Sequence, residues 1–250
     1  MYRTIEKNNL QFNNTTIFHV HTHRCGHASS EPDVDYIEKA IKLGATQIVF
    51  TDHCPFPKNP FPWRMDYEQL PEYVFSLKHL REKYQDKISI KIGLEAEYFP
   101  SYDWYYKELL ESKDFDILIL GQHIYEHADG SFGYADVDKE SEIRGFVSAT
   151  LQGIRSGYFQ VAAHPDRPLD RINRWNKNAD EIAKEIAKAA KETGVILEQN
   201  ITSMKNGYQY KLEFWENIPA DVKKIYGLDA HCVKDMESYY QMACKLNQEK

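Results

Sequence analysis

Thr16-Ile-Phe-His19-Val-His21-Thr-His23-Arg-Cys25-Gly-His27 is the stretch on which the reading of this chain turns. A short apolar run opens into four of the ten histidines, all within nine residues. Alternate side chains of a strand share a face, so His19 and His21 are expected to point the same way from one strand end. Two imidazoles converging like this form half a metal site, the alternative being a hydrogen-bonded histidine cluster. The rest of the chain decides between the two.

Working outward, Glu31-Pro-Asp33 through Gly44 reads as a helix, with Val34, Ile37, Ala40 and Ile41 at helical spacing, acids at its start and glycine at its end. Ile48-Val49-Phe50 is a continuous apolar run, as suits a strand buried on both faces, and it ends in Thr51-Asp52-His53. Cys54 to Met65 carries four prolines and reads as a semi-rigid extended loop. The alternation then repeats. Helices are expected over Tyr67–Tyr84, Tyr102–Ser112, Glu140–Ser156, Asn178–Thr193 and Asp235–Leu246. Strands are expected over Ile88–Ile92, Ile117–Leu120, Phe159–Ala163, Val195–Leu197 and Lys224–Leu228, with a polar loop up to about Asp138 and a less regular aromatic stretch from Gly207 to Ile218. About seven strand–helix alternations without a linker or repeat argue for a parallel sheet flanked by helices. In 250 residues they fit one closed α/β barrel, a single domain over 1–250, better than an open sheet.

Composition sets outer bounds. A net charge of −7 speaks against a nucleic-acid surface, which needs clustered lysine and arginine. Cys25, Cys54, Cys232 and Cys244 have no paired spacing, so no disulfide framework is expected. Met1 to Asn8 lacks the apolar core of a signal peptide, and no apolar run approaches the roughly 18 residues of a membrane span. The expectation is a soluble cytoplasmic protein whose oligomeric state is left open.

Set side by side, the strand ends supply His19, His21 and His27; Asp52 and His53; Glu95 and Glu97; His123; His164 and Asp166; and Asp229 and His231. Such clusters follow strands and precede helices, which puts them on the C-terminal face where barrels carry their chemistry. Isolated carboxylates and imidazoles facing inward would cost several kcal/mol each in desolvation, and bound cations remove that penalty. Imidazole with carboxylate suits Zn, Fe or Mn, and this many donors suit more than one ion.

In this order, His-x-His-Thr with a third histidine six residues on, Thr-Asp-His, Gly-Leu-Glu, Gly-x-His, His-Pro-Asp and Asp-x-His resemble the PHP (polymerase and histidinol phosphatase) family, over roughly Ile17 to Leu246. The resemblance implies a distorted (β/α)7 TIM-like barrel holding three divalent metal ions. It implies one ion on His19, His21, Glu95 and Asp229; a second on Glu95, His123 and His164, with Glu95 bridging; and a third on His27, His53 and His231. The Cys25-Gly26-His27 ending is similar to that of the stand-alone histidinol-phosphate phosphatases. Three departures bear on substrate rather than on metal: Asn200-Ile-Thr-Ser203-Met, Gly227-Leu-Asp-Ala-His, and Arg167 after His-Pro-Asp.

The expected chemistry is hydrolysis of a small phosphate monoester, with L-histidinol phosphate favoured by the resemblance. Clustered ions lower the pKa of a bridging water toward 7, and the hydroxide attacks phosphorus in line. Asp52, Glu95 and Asp229 are the expected catalytic carboxylates, and Arg64 and Arg167, with Arg171 behind them, the expected phosphate ligands. Asp52 is expected to orient an imidazole, and Glu97 to do the same or to meet a cationic group of the substrate. Phe56, Phe61 and Trp63 are candidates to stack on the substrate's imidazole or else to pack the loop. Cys25 is expected to be a packed thiol, His23 and His79 to lie off the metal centre, and His127 to sit on a loop near it. Amide-type hydrolysis on a related metal barrel is the main alternative, phosphate release from another metabolite a second, and a 3′-end exonuclease or metal sensor more remote. No P-loop, dinucleotide fingerprint, serine elbow or His-Glu-x-x-His motif is present.

Overall fold

The computed structural model describes residues 10, 12–133, 138–172 and 174–248, so the stretch Met1 to Asn8 lies outside the described residues. In chain order the strands are β1 (Thr16–Val20), β2 (Gln47–His53), β3 (Ser89–Ala96), β4 (Ile117–Leu120), β5 (Tyr125–Glu126), β6 (Phe132–Gly133), β7 (Val161–Ala162), β8 (Ile196–Asn200) and β9 (Lys224–Gly227). The helices are α1 (Asp33–Lys42), α2 (Leu70–Tyr84), α3 (Asp103–Glu111), α4 (Lys139–Ser156), α5 (Lys177–Thr193), α6 (Ile201–Asn206), α7 (Leu212–Glu216) and α8 (Val233–Gln248). Seven strands form one parallel sheet in the order β1-β2-β3-β4-β7-β8-β9, and β5 pairs with β6 as a small antiparallel hairpin. That hairpin lies in the stretch read from sequence as a polar loop. Two-residue strands around His127 to Ser131 are too short to carry an apolar period.

The sheet returns to its own first strand. Past β9, Leu228 N donates to Phe18 O (2.8 Å), Ala230 N to His19 O (3.2 Å), and His21 N to Ala230 O (2.9 Å). The distorted (β/α)7 barrel expected from the sequence is the observed fold.

By packing, the chain divides into two compact units: the described parts of Thr4–Glu95, Lys113–Ile117 and Tyr226–Lys250, and Ala96–Ser112 with Leu118–Ile225. In the first, β2 runs parallel to both β1 and β3, with His53 in register with Glu95. Its apolar run Ile48-Val49-Phe50 is fully buried, as a strand covered on both faces requires. Gly93 lets β3 pass close to Ile117: a Cβ there would stand 2.5 Å from Ile117 Cγ2 and 2.8 Å from Ile117 O. In the second unit, α5 starts on Asn176, whose side chain accepts from Ala179 N, and ends at Gly194 in the left-handed region. Ala179, Ala183, Ile186, Ala187 and Ala190 form its buried stripe. Tyr125 of the hairpin packs edge-on to Phe146 of α4, with ring centroids 4.7 Å apart.

Candidate metal centre

In the first unit, the convergence of His19 and His21 is made by an irregularity rather than by plain alternation. Phe18 pairs with Val49 and Val20 with Phe50, so His19 is an extra residue in β1, with φ 67°. The two imidazoles end with ring centroids 5.0 Å apart, both fully buried. His19 Nε2 lies 3.3 Å from Glu95 Oε2 and 3.8 Å from Asp229 Oδ1; His21 Nε2 lies 3.5 and 3.4 Å from the same oxygens. Asp229 also has a positive φ, 52°, so two of these four residues sit in the left-handed region that side chains other than glycine rarely adopt. Metal–ligand bonds of about 2.0–2.2 Å put the donors of a tetrahedral site roughly 3.4 Å apart, which is the spacing found.

A second set of imidazoles continues from the first. His53 Nδ1 stands 3.1 Å from Glu95 Oε2, as its register with Glu95 dictates. His231 stacks on His21 at 4.2 Å and 9°, and His27 lies 4.5 Å from His231 and 5.2 Å from His53 between centroids. His27 Nδ1 is 3.1 Å from Cys25 O and His231 Nδ1 is 3.1 Å from Asp229 O, which leaves the Nε2 atom of each ring for another ligand. His231 Nε2 and His21 Nδ1 are buried without a hydrogen bond, and His21 Nε2 has only the long contacts to Asp229 and Glu95 given above. Buried polar atoms are nearly always paired, so orphaned imidazole nitrogens in a convergent cluster fit a bound cation. Donor atoms lie within 4.8 Å of one another in the triads His19–His21–Glu95, His21–His53–His231, Cys25–His27–His231 and His21–Cys25–Asp52. The expected trio His27, His53 and His231 gathers, with His21 and Cys25 drawn in beside it.

Burial, with His53 next in effect, pushes His21 down to about 3; burial and His21 do the same to His231. Burial works to raise Asp229, but His19, His21 and His231 hold it well below the usual carboxylate range. Low proton affinity at His21, His231 and Asp229 alike is what a set of cation donors requires.

In the second unit, His123 follows β4 and His164 follows β7, with ring centroids 5.0 Å apart. His123 Nδ1 meets Glu97 Oε1 at 3.3 Å, the geometry of the first of the two roles open to Glu97. His164, at φ 32°, donates its backbone N–H to Glu198 Oε2 (3.1 Å), and Arg167 Nη1 stands 3.4 Å from His164 Nε2. Arg167 lines a cavity of about 220 Å³ together with Gln122, His123, Phe146, Asp170 and Arg171.

A family model for the PHP domain matches residues 18–202. The chain belongs to the PHP domain family. It is 31% identical to a Deinococcus radiodurans protein assigned as a histidinol-phosphatase, over 156 residues that make up 60% of each chain, so this match spans less than two thirds of that relative. It is 24% identical to the histidinol-phosphatase of Bacillus subtilis over 89% of this chain and 96% of that one. The crystal structure of the Lactococcus lactis histidinol phosphate phosphatase, complexed with zinc, L-histidinol and phosphate, has a TM-score of 0.68 to this chain at 23% identity, covering 91% of this chain and 93% of that chain.

Other expected residues of this PHP domain take different places. Asp52 does not orient an imidazole: its Oδ1 accepts from Thr22 N (2.9 Å) and Thr22 Oγ1 (3.0 Å), which fixes the turn after β1. Burial lifts its carboxyl to about 7. Arg64 lies over Phe56 and Phe61 and donates to Cys54 O (3.0 Å) and Pro62 O (3.3 Å), while the two phenylalanines are buried against each other. Those rings therefore pack the proline-rich loop; Trp63, 67% exposed, stands edge-on to His27. Cys25 is buried, and burial pushes its thiol up to about 12. His23 and His79 are exposed, and His127 packs on Tyr125. Two features escaped the sequence reading. Glu198 directly follows the apolar run Val195–Leu197, as the other clusters follow theirs, and could have been included on that ground, although β8 itself extends to Asn200; the buried Arg24 has no such signal, because arginine usually lies at the surface. No helix among the described residues is long and apolar enough to cross a membrane.

Proposed function

We propose that this chain is a metal-dependent phosphatase that hydrolyses L-histidinol phosphate to L-histidinol and phosphate, a step of histidine biosynthesis in the cytoplasm. The observation that carries the reading is the buried convergence on Glu95 Oε2 of three imidazole nitrogens within 3.1–3.5 Å, with Asp229 beside two of them. Named relatives with the same activity support it.

Three divalent ions, Zn, Mn or Fe, are the proposed complement. His19, His21, Glu95 and Asp229 would hold one; His123 and His164 would serve another; His27, His53 and His231 would hold a third. Such ions supply nucleophilic water at neutral pH and neutralise phosphoryl charge. The chain's own residues do the rest. Arg167, beside His164, is the proposed partner of the non-bridging phosphate oxygens, with a fork that suits two of them. Arg64, engaged with the carbonyls of its own loop, is the weaker candidate for the same role. Asp52, Glu95 and Asp229 are the proposed catalytic carboxylates; Asp52 Oδ2, buried without a hydrogen bond, is the atom assigned to take a proton.

Metal-stripped protein reloaded with manganese or zinc, assayed by phosphate release, tests this. Turnover is expected only after reloading, and L-histidinol phosphate should exceed p-nitrophenyl phosphate in kcat/KM by about 10²-fold or more, the scale of a binding site built around one leaving group. No turnover of either ester by metal-replete protein overturns the assignment.

A further inference from the structure

Arg24 lies in the single 3-10 turn His23–Cys25 that separates His21 from His27, and its side chain is only 5% exposed. Its guanidinium touches none of the clustered imidazoles directly. Nε and Nη2 donate to the two oxygens of Glu72 in α2 (2.7 and 3.0 Å), and Nη1 donates to Asp33 Oδ1 at the start of α1 (2.8 Å) and to Thr22 Oγ1 (3.2 Å). The other oxygen of Asp33 accepts from Ser76 of α2 (2.9 Å), and the guanidinium sits over the Tyr73 ring at 5.7 Å. Thr22 Oγ1 passes the network on to Asp52, the residue before His53. One buried cation thus ties together the N-terminal ends of two helices, the end of β2 and the turn that carries His27.

We infer that Arg24 is a positioning residue for the cation held by His27, His53 and His231: its clamp on Asp33, Glu72 and Thr22 sets the conformation of the His23–His27 turn. The inference rests on the reading of the cluster as a metal centre, not on its substrate. The physical reason is conformational. Within the segment only short local bonds hold the turn, Cys25 N to Thr22 O (3.2 Å), Gly26 N to His23 O (3.5 Å) and His27 Nδ1 to Cys25 O (3.1 Å); a forked, buried guanidinium with charged partners on two helices fixes that turn against the rest of the unit. Lysine offers one point donor instead of a fork and cannot bridge the same three partners.

Cobalt(II) titration of metal-stripped protein, followed by visible absorption, reads this without any assay of activity. In Arg24→Met, one binding step should weaken by about 10- to 100-fold, the usual cost of losing a group that orients a metal ligand, while the other steps hold. Arg24→Lys should fall between, and kcat on L-histidinol phosphate at fixed low metal should drop with little change in KM. A merely structural arginine would lower the melting temperature of the stripped protein and leave every cobalt step at its wild-type affinity, and that result overturns the inference. Should Arg24→Met fail to fold, Glu72→Gln decides: its target carboxylate is 60% exposed, so the fold tolerates the change, and wild-type cobalt affinity in that variant counts against the clamp as metal weakening counts for it. Absence of phosphatase activity in a protein that shows the cobalt effect sinks the proposed function alone.

Discussion

Individual ionisable side chains carry two opposing pH dependences. His21 and His231 sit at about 3 in the fold against an ordinary 6.5. The unfolded chain therefore binds more protons between those values, and this contribution to stability is present above about 6.5 and lost as pH falls toward 3. Asp52 and Asp166 run the other way. Burial lifts each to about 7 from 3.8, so their contribution is present at low pH and lost as pH rises toward 7. Between about pH 4 and 6.5 the two pairs nearly offset each other. Asp166 accepts from Lys211 N (2.9 Å) and Trp215 Nε1 (3.0 Å) through one oxygen, a role an amide oxygen fills as well. Asp166→Asn should thus keep the contacts and remove one of the descending contributions. Urea unfolding of metal-stripped protein at pH 4.5 and 6.5 is expected to show the variant gaining about 1–3 kcal/mol relative to wild type on going to the higher pH, at about 1.36 kcal/mol per proton per pH unit. An identical pH slope in the two proteins would show that Asp166 is ionised throughout.

Strands and helices followed their patterns wherever the pattern was long. The runs around Ile48–Phe50 and Ile117–Leu120 became buried strands, and the alanine-rich helix α5 buried one stripe, because apolar periodicity reports burial directly. The hairpin β5–β6 and the extra residue at His19 were not legible: one is too short to have a period, and the other depends on how β1 registers with β2. Close strand packing is likewise invisible until the sheet is built. Gly93→Ala places a methyl against Ile117 Cγ2 and, at 2.8 Å, against the Ile117 carbonyl, a backbone atom that cannot rotate away. A loss of about 1–3 kcal/mol is expected in urea unfolding, the usual cost of overpacking. A loss under 0.5 kcal/mol would mean that β3 and β4 give way freely at this point.

For the molecule as a whole, the sheet's return to β1 is what brings residues more than two hundred positions apart into one cluster, through Leu228 N to Phe18 O and Ala230 N to His19 O. Ions that bind only the folded chain then stabilise it by mass action, about 2.7 kcal/mol for each one present at 100 times its Kd. Chelation should therefore lower the calorimetric melting temperature by roughly 5 °C or more, at about 2–4 °C per kcal/mol for a chain of this size, and zinc or manganese should restore it. An unchanged melting temperature after verified metal removal would argue against cations in the buried cluster. The kinds of residue at the strand ends, their order and the apolar runs before them were enough to settle the barrel and the family, and to nominate the donors of the proposed metal centre, because burial periodicity and ligand chemistry are local properties of a sequence. The folded chain alone settled which atoms meet: that His19 converges by a bulge, that Asp52 holds Thr22 rather than an imidazole, and that Arg24 turns inward. Those outcomes depend on register, on left-handed backbone and on partners from other elements, which pack only once the chain has closed on itself.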